Sequence, residues 1–480
     1  MQFFQIKYLK LLVGISVLIL SAACTETVQR DSYNAFLQEP GMLVNREQDN
    51  TIEGRSLKVK AVDLPDSTIW VNFPPDFFIG KHNAQHWMVG WGKQKPLYDA
   101  GVENLRKIDF INRSTLQLQL GKCIRGNGMP QEGQRVTFWN RAPSGFKKHP
   151  RSPVIDPSIW KSFKGSSIQF SAVVFDSTLQ KWVIIANECD TTPIKTYAAT
   201  STNLIDWTPA NGGTPLFQPD DFETCSWAGW DADCTVQQTA VATDLIHYNG
   251  QWVLFMDGFD RKGKRHIGIA VSEASALGPY TIRETPILSP RPMGYWNDQS
   301  VFYGKIHQVK GEFLLFFDGK NCAGKESVGR ASSQDLIHWK FYDKNPVIDE
   351  HYGWRSSTKT SEPVYVDSRN DSLFLLVEGR KKFKMDWWSR YISKRMYRDL
   401  SGNVDDAQIG IFVSTDRGKS FVAHENNPVF VNDYSDYLEN EHLGGNFERI
   451  QNDTATILFY QGKSSYPSWK YNIMMRYKTH

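Results

Sequence analysis

GYWNDQSVFYGKIHQVKGEFLLFFDGKNCAGKESVGRASSQDLIHWKFYDKNPVID, residues 294–349, decides how the chain is read. Two apolar runs flank the Lys310-Gly311 turn pair. A polar loop follows Asp318-Gly319, then SVGRASSQDLIHW, then a short run ending at Asp349. Short β-rich runs bounded by such turn residues predict four antiparallel strands.

The same pattern recurs on both sides. Upstream stand TAVATDLIHYNGQWVLFMDGF with HIGIAVSEASALGPYTIRETPIL, and before them FSAVVFDSTLQKWVIIANECD with TYAATSTNLIDWTPANGGTPLF. Downstream come SEPVYVDSRNDSLFLLVEGRK with QIGIFVSTDRGKSFVAHENNPVF, then GNFERIQNDTATILFYQGK with YNIMMRY. The second run of each copy ends in a shared signature: Asp257-Gly258, Asp318-Gly319, Glu378-Gly379 and Gln461-Gly462, with Glu188-Cys189 as the variant. A self-similar unit of about 60 residues and four strands predicts an all-β fold, a β-propeller. The last copy lacks a fourth strand, and residues 134–155 read as third and fourth strands without a first pair. The ring therefore has five blades, closed by an N-terminal strand, or six if residues 56–155 make a blade of their own.

The N-terminus reads as an address. Lys7 and Lys10 precede the apolar run Leu11–Leu20, and Ser21-Ala22-Ala23-Cys24 follows. This is a signal peptide over residues 1–23, with Cys24 placed as the lipidated first residue of a bacterial lipoprotein. The run is too short to span a bilayer, so the lipid is the membrane attachment and the cell envelope the expected location. Residues 24–55 read as the lipidated Cys and a flexible tether, 56–133 as an N-terminal β extension, and 134–480 as the propeller domain. Of the six cysteines, Cys225 and Cys234 are spaced to bridge, and no spacing matches a zinc site. The net charge of +3 decides nothing about nucleic acid, but the sequence has no basic stripe of the kind that phosphate binding needs, and no nucleic-acid partner is expected. Residues 380–398, RKKFKMDWWSRYISKRMYR, carry eight Lys or Arg and five aromatics. Its guanidinium forks and Trp387 and Trp388 suit an acidic sugar, although a solvated charged face has the same composition.

In a propeller the start of each first strand and the end of each second strand reach one face of the axis. That filter selects Asp298 and Glu362, with Asp233 or Asp231, at first-strand starts. At second-strand ends it selects Glu188, Asp257, Asp318, Glu378 with Arg380, and Gln461. Trp230 and Trp296 offer stacking faces beside them, and Glu441 and His442 lead into the last copy. Carboxyls from successive blades facing one cavity suit glycosidic chemistry, where one is protonated and another ionised. The repeated Asp-Gly acids read equally as ties between blades.

The order Asp, Asp, Glu-Pro, with A-x-S-x-D-L-x-x-W on third strands, resembles the five-bladed propeller glycoside hydrolases of family 43 and family 117 over residues 155–477. The resemblance implies Asp233 (or Asp231) as base, Asp298 as modulator of the acid's pKa, Glu362 as general acid, and His442 facing the axis. It also implies a divalent cation near His442, for which no ligand cluster of diagnostic spacing stands in the sequence. Asp233 lies ahead of Gln237–Thr239, where the repeat places the base, and Glu362 is followed directly by Pro363. The expected substrate is an oligosaccharide from a complex polysaccharide, acidic or sulfated. Hydrolysis by an exo-acting enzyme leads; elimination on uronic sugars, with Arg380 neutralising the carboxylate, and glycan capture without turnover are the alternatives.

Overall fold

The computed structural model describes residues 55–63, 68–72, 87–91, 103–112, 115–120, 130–140, 147–189, 191, 193–351, 355, 361–369, 371–380, 407–424, 427, 430, 442–451, 455–463 and 470–479. The signal peptide, Cys24, the tether, residues 381–398 of the basic insertion and Glu441 lie outside them. The chain divides into two compact units, Met1–Gly145 and Phe146–His480. Among the described residues all regular structure is β, apart from three short 3₁₀ turns.

The first unit is a closed antiparallel barrel of six strands: Arg55–Asp63, Thr68–Asn72, Trp87–Trp91, Glu103–Asn112, Thr115–Leu120 and Arg135–Asn140. Alternate residues Ile69 and Val71, and Leu118 and Leu120, are buried on adjacent strands, as the two-residue period of a strand requires. The barrel closes where Arg135–Asn140 pairs with both Arg55–Asp63 and Trp87–Trp91. The predicted division at residue 133 therefore moves to 145. Residues 135–140 complete the barrel, whose first and third strands would otherwise keep open edges.

The second unit holds five successive antiparallel meanders. Their strands are Ile168–Asp176, Lys181–Glu188, Thr196–Ser201 and Thr208–Pro209; then Val241–Tyr248, Gln251–Phe259, Arg265–Ser272 and Thr281–Ile282. The third has Ser300–Val309, Glu312–Lys320, Glu326–Ser333 and Lys340–Phe341; the fourth Pro363–Arg369, Ser372–Arg380, Ala407–Ser414 and Val422–Ala423. The fifth has His442–Gln451, Ala455–Lys463 and Tyr471–Thr479, and Lys147–Lys148 pairs antiparallel with its last strand. His149 N–H and Val154 N–H continue that association, donating to Met475 O and Ile473 O. Each first strand lies beside the next, and that of the fifth lies against that of the first.

Local sequence explains the repetition. The hairpins at Asn249-Gly250 and Lys310-Gly311 have positive φ at both turn residues (49° and 77°; 51° and 85°), the mirror-image turn whose twist matches the flanking strands. The S-x-D-L-x-x-W signature is a turn built on its Asp: Ser333 Oγ donates to Asp335 Oδ1, which also accepts from Ile337 N–H and His338 N–H. Trp339 Nε1 donates to Leu336 O. The second strands of the second, third and fourth repeats share one burial pattern, seven buried residues between two half-buried ends. Buried on both faces, they read as unbroken apolar runs. Truncating Leu315 at the centre of one would cost about 2–5 kcal/mol. Each first strand carries a bulge near its start, at Phe170/Ala172, Ala242/Asp244, Phe302/Lys305, Pro363/Tyr365 and Gly444/Phe447. Bulges re-aim the residues beside them.

Candidate functional site

The glycine of the acid-Gly signature is required by packing. A side chain on Gly319 would collide with the Trp296 ring, which also lies over Gly329 and stacks on Phe317 at 5.9 Å. Trp296, a predicted sugar platform, is thus the wedge that closes the third repeat. The acid before the glycine is left at the strand end, where it meets the neighbouring repeat.

Four of the five second-strand ends are tied down there. Glu188 accepts from Lys164 N–H (2.7 Å), Gly165 N–H (2.5 Å) and Tyr197 Oη (3.2 Å). Asp257 is wholly buried, pairs with Arg265 at 2.6 Å, and accepts from Tyr303 N–H at 3.3 Å. Glu378, also wholly buried, takes Arg380 on Oε1 at 3.2 Å and Gly445 N–H on Oε2 at 2.6 Å. Gln461 donates to Ile168 O at 2.7 Å. Asp318 is wholly buried, and among the described residues neither of its oxygens has a hydrogen-bond partner.

Around these ends a charged cluster converges from successive repeats. Burial pushes Asp318 well above the usual carboxylate range; Glu326 and Glu362 add to this, and Arg265 and Lys320 oppose it. Glu362, partly exposed at the entrance of the fourth repeat, is also pushed well above its usual range. Burial is the largest cause, Glu378 and Glu326 add to it, and Arg380 and Arg265 oppose it. Glu326 is raised by burial despite its ion pair with Lys320 at 3.3 Å. Arg265 stays charged: burial works against it, but Asp257, Tyr303 and Glu362 more than compensate. Tyr303 and Tyr471 are both raised, chiefly by burial, so both phenols stay protonated. Tyr303 stands in a bulge at φ 50°, the left-handed region that a non-glycine residue rarely occupies.

Asp298 sits differently. Its oxygens accept from Gly294 N–H and Cys322 N–H, both at 2.8 Å, which hold it ionised and below its usual range. Lys264 Nζ donates to Asp298 O, and Gln299 Nε2 to Gly263 O, so this residue knots three rim loops together. Asp233 stands exposed on the neighbouring loop, while Asp231 organises that loop by accepting from Thr235 N–H and Oγ1. Trp230 carries the Arg261 guanidinium at 4.2 Å from its ring centre. Of His442 only the backbone is described, at the start of the fifth repeat beside Ala407. Cys225 and Cys234 are free thiols rather than a bridge; Cys234 Sγ donates to Asp260 O at 2.7 Å. Among the described residues no group of three or more His, Cys, Asp or Glu is arranged to hold a metal ion.

Arg265, Tyr303, Glu326 and Tyr471 were not singled out from the sequence. Two of them were visible there: Gly263-Lys264-Arg265 and Gly324-Lys325-Glu326 stand in phase at the starts of third strands.

Two residues further in along the first strands lies a second charged layer. Asp244, Lys305, Tyr365 and Glu448 pair with Phe255, Phe316, Leu376 and Phe459, each two positions before a terminal Asp, Glu or Gln. Lys305 Nζ donates to Thr243 O (2.7 Å) and Ser171 O (3.3 Å), and Asp244 accepts from Ile306 N–H at 3.0 Å. Glu448 is pushed up to about 8 by burial and by Asp244, with Lys305 opposing.

No family model matches the chain, and no curated protein does. Solved structures are similar in fold. A putative glycoside hydrolase from Bacteroides ovatus ATCC 8483 aligns over 69% of this chain and 95% of its own at 16% identity and a TM-score of 0.50. One from Parabacteroides distasonis ATCC 8503 covers 69% and 96% at 15% identity and 0.48. A thermostable family-43 glycoside hydrolase covers 67% and 95% at 15% identity and 0.47. At such identities the likeness is one of fold, and the chemistry is argued from the residues.

Proposed function

We propose that the protein is an exo-acting glycoside hydrolase that takes acidic oligosaccharides released from a complex polysaccharide. The observation that carries this reading is Glu362: a carboxyl at a strand entrance, pushed well above its usual range by burial and by Glu378, in a cluster with Arg265 and Arg380. A protonated carboxyl is what the leaving glycosidic oxygen needs, and guanidinium forks suit a uronate or sulfate. Arg261 on Trp230 and Arg291 over Tyr295 at 3.9 Å extend the same chemistry to the rim loops. Glu362 takes the acid's part. The base is an ionised carboxylate: the resemblance offers Asp233 (or Asp231) for it and Asp298 as modulator, and we assign it instead to Asp298, which is held ionised within the loop knot, whereas Asp233 is exposed.

The five meanders are read as blades of one ring, closed where Lys147–Lys148 joins the last strand. Cys24 would carry the lipid that holds the enzyme at the cell envelope. Elimination is the weaker reading, because Tyr303, whose ring carries the Arg265 guanidinium at 4.6 Å, is pushed by burial away from the phenolate that would have to abstract a proton.

The test is incubation with neutral, uronic and sulfated oligosaccharides, following new reducing ends together with ultraviolet absorbance from unsaturated uronate. New reducing ends that disappear in Glu362→Gln and fall in Asp298→Asn support hydrolysis. Rising absorbance would replace it with elimination. Binding without either signal would make the protein a glycan-capture lipoprotein.

A further inference from the structure

The exception at Asp318 has a cause in the backbone. In the third and fifth repeats, the N–H that ties down the preceding repeat's acid belongs to a fixed position: the residue after the one paired with that repeat's own second-strand end. Phe302 pairs with Asp318 and Tyr303 follows, donating to Asp257. Gly444 pairs with Gln461 and Gly445 follows, donating to Glu378. In the fourth repeat the residue opposite Glu378 is Glu362, whose carbonyl accepts from Glu378 N–H, and the next residue is Pro363, paired with Val377. Proline has no N–H to give. The donor that should reach Asp318 is missing from the chain itself.

The dipeptide Glu362-Pro363 therefore does two things together. It places one carboxyl at the cluster and withholds from another the hydrogen bond that would have favoured its ionised form. We infer that Asp318 belongs to the catalytic machinery as a tuning carboxyl, stripped of its backbone donor by Pro363, which sets the pH at which Glu362 gives up its proton. This rests on the hydrolase reading, in which Glu362 is the acid, and adds a positioning residue to it. The charged groups acting on Asp318 are Glu326, Glu362, Arg265 and Lys320; those on Glu362 are Glu378, Arg380, Glu326 and Arg265. The two carboxyls share their ionisation, so wherever Asp318 has begun to ionise it adds a charge against the ionisation of Glu362. Once ionised it would hold the Glu362 proton more tightly, as two carboxylates sharing a site do.

Two substitutions should move Glu362 in opposite directions. Asp318→Asn removes the second acid, so Glu362 ionises at lower pH. Pro363→Ala returns an N–H to the position, so Asp318 ionises earlier and Glu362 later. The readout needs no substrate: infrared difference titration of the full chain follows the protonated-carboxyl band that is absent from Glu362→Gln. We expect its midpoint about one pH unit lower in Asp318→Asn and higher in Pro363→Ala. A midpoint unmoved in Asp318→Asn, an isosteric change that keeps the fold testable if Pro363→Ala misfolds, would overturn the inference. Shifted midpoints with no hydrolysis on the oligosaccharide panel would uphold the pairing while removing the hydrolase reading.

Discussion

The two charged layers contain the same kinds of side chain and treat them in opposite ways. In the inner layer, Lys305 is bonded to carbonyls of the first and second repeats, and Asp244 accepts a backbone N–H from the third. These charges are spent on holding first strands together. In the outer layer, Asp318 has no hydrogen-bond partner among the described residues and Glu362 is crowded by Glu378 and Glu326. A buried polar group without a partner costs stability, so a fold that keeps one where it elsewhere supplies a donor is keeping it for another purpose. The difference separates structural charge from chemical charge in a chain that has plenty of both.

Substitutions should separate the layers in the same way. The largest effect is expected at Glu362→Gln: loss of about 10²–10⁴-fold in turnover, with the denaturation midpoint nearly unchanged. A large fall in stability with activity retained would erase the distinction. Lys305→Met should do the reverse, lowering unfolding free energy by about 3–5 kcal/mol in urea titration, because it leaves Asp244, Glu448 and two carbonyls without their cation.

A smaller effect follows from Glu448. Its folded pKa lies above that of the unfolded chain, so the folded state binds more protons between the usual carboxylate range and about 8. Stability therefore falls as pH rises through that window, and Glu448→Gln should flatten the fall by about 1–3 kcal/mol. Thermal melts of both proteins at pH 5 and pH 8 measure it, and parallel curves would contradict the assignment. The smallest effect is expected at Asp233→Asn, exposed on its loop, with stability within about 0.5 kcal/mol and hydrolysis nearly unchanged. A severe loss of hydrolysis there would return Asp233 to the base's role.

Much of this architecture was legible in the letters. The acid-Gly pairs, the serines that open the third-strand turns (Ser201, Ser272, Ser333 and Ser414) and the hairpin glycines all recur in phase, because each repeat meets the same packing demands. The Asp318 and Glu378 positions were legible for the same reason. The barrel was not: Trp87–Trp91 and Arg135–Asn140 belong to no repeat, and only pairing shows that they close one sheet. The packing part of Trp296 was hidden for a physical reason, since an indole that stacks on a sugar and one that covers two glycines look alike in sequence. Tyr303 was invisible because nothing in its neighbours announces a φ of 50°. Pro363 was plain to see, but its meaning depended on register, which a string of residues does not display.

The seam at Ser152 and Met475 has a consequence for biosynthesis. Ser152 Oγ donates to Met475 O and accepts from Met475 N–H, joining residues 323 positions apart. At about 5–20 residues per second, a ribosome needs on the order of tens of seconds to cross that distance. Throughout that interval the early segment has been made and its partner does not yet exist. The nascent chain therefore carries an unmated strand across the whole synthesis of the repeats, and that strand meets its partner only once Met475 has been made.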